Sequence, residues 1–155
     1  DAEINRQYFF LVRLIRSTIM DTRLANIFNL ENIDILDYRI AANTLEIAGD
    51  TVVELSQSLI KSNLSKVELK KLHDFAKDME EIQIKSIDSF ISNNRTLAID
   101  AIRLQRNNAT KISKIRSSLE SKKQISLEFF DLIYMFEKVL QSWSDIADLV
   151  KPSYK

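Results

Sequence analysis

The stretch TLEIAGDTVVEL (residues 44–55) holds the only glycine of a 155-residue chain. Leu45 and Val52, with Ala48 and Leu55 three residues after each, keep helical spacing, so Gly49 falls inside a helix. Glycine in a helix interior costs roughly 1 kcal/mol relative to alanine. Glu46, Asp50 and Glu54 flank it at successive i,i+4 positions, and like charges at that spacing cost about a few tenths of a kcal/mol per pair. A bare backbone at this point lets a facing helix or a ligand approach closely.

Working outward, the same period covers the chain. Tyr38, Leu45, Val52 and Leu59 recur every seven residues, with Ala41, Ala48 and Leu55 interleaved, which predicts one long amphipathic helix over about 34–61 with a bundle seam. Before it, Ile4, Tyr8, Leu11, Ile15 and Ile19 form one stripe of a helix over 2–20, and DTRLANIF continues as a shorter helical stretch. NLENID is a turn in which Asn32 or Asp34 supplies the N-cap. Ser65 and Glu68 form a capping box that starts a helix reaching about 91 on Leu72, Phe75, Met79, Ile82 and Phe90. SNNRT breaks the pattern, and Ile102, Ala109, Ile112, Ile115 and Leu119 carry the next helix over 96–120. Ser126 caps the last one, where Phe129, Phe136, Trp143 and Val150 alternate with Leu132, Val139 and Ile146, and Pro152 ends it. Five main helices with short connections predict an antiparallel all-α bundle in a single domain, 1–155.

Composition agrees. One Gly, one Pro and 45% apolar residues suit helices better than sheets. The lack of Cys excludes disulfide scaffolds and thiolate metal sites. Twenty-two basic against 22 acidic side chains give a formal charge of zero, which argues against a dedicated nucleic-acid surface. No apolar run reaches the roughly 18 residues of a membrane span, so no membrane insertion is expected. The chain begins at Asp1 rather than Met and reads as an excised piece of a longer protein.

Enzyme constellations are missing from the sequence. With one His and no Cys, Cys-His pairs and multi-His metal sites are excluded. His73 with Asp74 reads as a surface pair. The Glu-x-x-His pairs of di-iron bundles and Gly-rich phosphate loops are absent. The aromatics sit at core spacing rather than as a base-stacking platform. What remains is carboxylate chemistry. If the first two helices pair around the 21–33 turn, Met20 lies near Asp34, Asn5 near Gly49 and Asp50, and Asp1 near Val53 and Glu54. Oxygen ligands would then converge beside the glycine, as hard or borderline divalent cations or iron require. The competing reading is a solvated acidic face neutralised by Arg6 and Arg13 of the facing helix.

LEIAGDTVVEL also resembles the LERIGDHAVNIAE signature of PhoU-domain proteins, the phosphate-uptake regulators: Leu45, Glu46, Gly49 and Asp50 match, while Ile47, Thr51 and Glu54 depart. DAEINRQYFFLVRLIR and DYRIAANTLE are similar to the archaeal form of that domain, and EKVLQSWSDIADLV to its closing segment. The resemblance implies a PhoU-type bundle of two three-helix repeats with the first helix missing, a first-repeat remnant at about 1–62 and a second repeat at about 65–151. It implies a cytoplasmic, non-enzymatic regulator of phosphate uptake and homeostasis that works through protein–protein contacts as a homodimer. Its partner would be a phosphate-transporter ATPase or a sensor kinase. Glu46-x-x-x-Asp50 fits the metal motif of some members, Asp1-x-x-x-Asn5 has lost its second acid, and Glu54 lies one turn on. Through these residues the resemblance implies iron, zinc or manganese. In archaeal relatives the domain often follows an AbrB-like DNA-binding domain. The alternative function is therefore a dimerisation or effector module of an AbrB-type transcription regulator, with no direct nucleic-acid contact by this domain.

Overall fold

A computed structural model describes residues 2–120 and 127–150. The chain is all-helical there: α1 (Ala2–Met20), α2 (Thr22–Ile27), α3 (Asn32–Lys61), α4 (Lys66–Ser92), α5 (Arg95–Glu120) and α6 (Leu127–Asp148). The side chain of Leu119, and Asp1, Ser126 and Pro152 altogether, lie outside the described residues.

Local chemistry explains most boundaries. The Ser65 hydroxyl accepts from the Glu68 N–H at 3.3 Å, and the Glu68 carboxylate accepts from the Ser65 N–H at 2.8 Å, so the expected capping box opens α4. The Ser65 side-chain and backbone bonds hold the Glu68 carboxyl below its ordinary pKa. Asn93 adopts the left-handed conformation that ends α4 (φ 49°), a role asparagine tolerates better than most residues. The Asn94 carbonyl oxygen then caps α5, accepting from Thr96 and Leu97 N–H at 3.0 and 3.2 Å. The α3 start differs from expectation. Glu31, not Asn32 or Asp34, is the N-cap. Asp34 acts from inside the helix, its carboxylate accepting the Glu31 N–H at 2.8 Å. An acid at the third helical position reaches back to an orphan donor as readily as a cap reaches forward.

α6 is the central element. It packs against α3, α4 and α5, and α4 and α5 also pack on each other. Its seven-residue pattern is the core: Phe129, Phe136 and Trp143, with Leu132, Val139 and Ile146, are all buried. Phe75 of α4 meets Phe136 with ring centroids 6.2 Å apart. At the far end Ala98, Ala101 and Ala147 let α5 and α6 approach closely, forming a second small cluster. α1 stands apart from this core and, among the described residues, packs on α3 and α2 alone. Ile15 and Thr18 are therefore its only buried residues, and Ile4 and Ile19 of the expected stripe stay exposed. Similarly Ala41, Ala48 and Leu55 of α3 are buried against the core, while Tyr38, Leu45 and Val52 are about 40% exposed. No helix among the described residues is long and apolar enough to cross a membrane.

Candidate functional site

The glycine's environment is apolar. A Cβ built on Gly49 would lie 2.7 Å from Ile4 Cδ1 and 3.3 Å from Ile4 Cγ2. The bare backbone of α3 is therefore a seat for the Ile4 side chain of α1, so of the two readings of the glycine the facing helix is the one realised. The contact also fixes the antiparallel register of α1 on α3, within one residue of that expected from the turn.

Beside it runs an open groove of about 530 Å³ between α1 and the core helices, lined by Ile4, Leu45, Gly49, Val52, Gln83 and Trp143. Trp143 is buried, and its indole N–H has no hydrogen-bond partner among the described residues. Tyr38 of α3 meets Phe90 of α4 edge-on, with ring centroids 5.4 Å apart.

Three of the expected metal ligands, Glu46, Asp50 and Glu54, lie on successive turns of α3, and Asn5 lies on the facing α1. Glu46 is half-buried and borders the groove. Asp50 and Glu54 are exposed on successive turns, Asn5 is half-buried on α1, and Asp1 lies outside the described residues. Among the described residues no three His, Asp or Glu side chains come together as a metal-ligating group. The proposed neutralising arginines are engaged elsewhere. Arg6 pairs with Glu3 of its own helix at 2.6 Å, and Arg13 Nε donates to the Phe9 carbonyl at 3.3 Å. His73 and Asp74 form an exposed pair at 3.9 Å, as expected.

The sequence reading missed a cationic feature on the same helix pair. Arg13, Arg16 and Arg39 line one depression with Tyr8 and Phe9. Arg39 lies over the Tyr8 ring, 5.4 Å from its centroid, a cation–π contact that holds the guanidinium in place. Arg13 and Arg16 sit three apart, one helical turn, and the register of α1 on α3 would have brought Arg39 beside them.

No protein-family model, no curated protein and no solved structure matches this chain.

Proposed function

We propose that this chain is a non-enzymatic, cytoplasmic regulator of phosphate uptake that acts by helix-face contact with a protein partner and works as a homodimer. One observation carries the contact part. α1 and α3 leave large apolar side chains in solvent, among them Phe9 (59% exposed), Phe10 (60%), Leu36 (53%) and Ile19 (61%). Contiguous exposed apolar surface on a soluble chain marks interaction sites. The phosphate part is supported by the resemblance of residues 44–55 and their flanking segments to the phosphate-uptake regulators. The partner is the ATPase of a phosphate transporter or a phosphate-responsive sensor kinase.

The test is direct binding of the purified chain to each candidate partner by isothermal titration calorimetry. Micromolar or tighter binding to one of them, lost on Leu36→Asp with Ile40→Asp, is expected. Binding to neither, with the chain instead found fused to a DNA-binding domain whose operator affinity it controls, would move the assignment to an effector module of a transcription regulator.

A further inference from the structure

The arginine depression has no role in the protein contact proposed above. Arg13 and Arg16 are exposed on α1, and Arg39 is half-buried on α3. With Tyr8, Phe9 and Val12 they line an open depression of about 520 Å³ whose lining holds no carboxylate. A second depression, of about 580 Å³, shares Val12, Arg16 and Arg39. It continues over Ile15, Ile19 and Ala25, again with no acid in its lining. The two acids between residues 2 and 30 are Glu3 and Asp21, and both are already paired. Glu3 meets Arg6 at 2.6 Å and Asp21 meets Arg23 at 2.9 Å.

Among the described residues Arg13, Arg16 and Arg39 form no ion pair. Arg39 lies over the Tyr8 ring at 5.4 Å, and Arg13 Nε donates to the Phe9 carbonyl at 3.3 Å. These contacts orient two guanidinium groups and leave their terminal amino groups for a ligand. Three like charges gathered on one depression repel one another, and an anion between them reverses the sign of that term. The planar guanidinium fork matches the oxygens of an oxyanion. A carboxylate brings two oxygens and one charge. A phosphate monoester brings three acceptor oxygens and up to about two charges at pH 7, one oxygen for each arginine. Exposed Phe9 and the apolar trough beyond Val12 offer a surface to the rest of such a molecule.

We propose that the depression between α1 and α3 binds a soluble phosphate monoester with an apolar or aromatic body. Arg13, Arg16 and Arg39 hold its phosphoryl oxygens, and its body lies over Phe9 and Val12. The site stands on the arginine geometry alone. The protein contact is read at Leu36 and Ile40, so the failure of either leaves the other standing.

The test is calorimetric titration of the intact chain, at low ionic strength, with phenyl phosphate, orthophosphate and phenylacetate. Phenyl phosphate should bind in the micromolar range, and the other two roughly 10-fold or more weakly. Its affinity should fall as pH drops through about 6, where a monoester takes up its second proton. Arg16→Gln and Arg39→Gln should each weaken it roughly 10-fold or more. Arg39→Lys should not restore it, because an ammonium group lacks the fork. Arg106→Gln, an exposed position on α5, should bind like the parent. Arg16 makes no polar contact among the described residues, so its variant should stay helical by circular dichroism. It keeps the test readable even where loss of the Arg39–Tyr8 contact loosens α1. Absence of phenyl phosphate binding at millimolar concentration, equal binding of phenylacetate or orthophosphate, or an Arg16→Gln chain that binds like the parent would each overturn the proposal. Retention of the chain on phosphatidate vesicles without binding of phenyl phosphate would also overturn it, and would assign the arginines to a lipid surface.

Discussion

Ile4 Cδ1 occupies the space that any side chain at Gly49 would need, 2.7 Å from the position of a Cβ there. The glycine's helix penalty is thus tied to the seating of α1, and the tie is measurable. Gly49→Ala gains about 1 kcal/mol of helix propensity and displaces the end of Ile4. The two effects oppose each other, so the single variant should melt within a few degrees of the parent. In an Ile4→Ala background the displacement vanishes, and Gly49→Ala should then stabilise by about 1 kcal/mol. A coupling of roughly 0.5 kcal/mol or more in this double-mutant cycle is expected for residues in contact. Equal effects of Gly49→Ala in both backgrounds would separate the glycine from α1.

The acids around the glycine should be dispensable for folding. Asp50 and Glu54 are exposed, and among the described residues neither they nor Glu46 hold an ion pair within the protomer. Glu46→Ala with Asp50→Ala should retain the full far-ultraviolet helical signal, relieving about a few tenths of a kcal/mol of like-charge repulsion. Loss of helicity would mean that these carboxylates hold α1 to α3.

The α4 cap predicts a pH dependence of definite sign. Bonds from Ser65 hold the Glu68 carboxyl below its ordinary value of 4.5 in the folded chain. A carboxyl depressed on folding stabilises fully above its unfolded pKa, and that stability is lost as pH falls through the folded value. The parent should therefore exceed Glu68→Gln in melting temperature at pH 7, and the gap should close near pH 3. Ser65→Ala should cost about 1 kcal/mol at pH 7. A gap that persists unchanged in acid would show that Glu68 acts through something other than its charge.

Core and periphery should respond very differently to truncation. Phe136 is buried at the centre of α6 and packs on Phe75. Phe136→Ala should cost roughly 3–5 kcal/mol, and chemical denaturation would read it. Ile60, 84% exposed at the end of α3, should change stability by less than about 0.5 kcal/mol on substitution with alanine. Comparable losses at the two sites would contradict the placement of the core on α6.

The helices and the α6 core were legible because period and capping are local. The seven-residue spacing of Phe129, Phe136 and Trp143 and the Ser65–Glu68 box need nothing beyond their own segments. What escaped is relational. Tyr38, Leu45 and Val52 keep the same seven-residue spacing as buried residues, yet they stay about 40% exposed, because on that side of α3 the packing of α1 leaves an open groove beside Leu45 and Val52. Likewise the clustering of Arg39 with Arg13 and Arg16 depends on how α1 seats on α3, which one bare glycine decides. The N-cap of α3 was missed because an acid inside the first turn bonds the same orphan N–H that a conventional cap would approach from outside.

The regulatory reading is tested most directly in phosphate-replete cells from which the protein has been deleted. Phosphate uptake and the expression of phosphate-starvation genes should rise, the intact protein should restore repression, and a version carrying Leu36→Asp with Ile40→Asp should fail to restore it. Unchanged uptake and unchanged starvation-gene expression in the deletion strain would contradict a role in phosphate control.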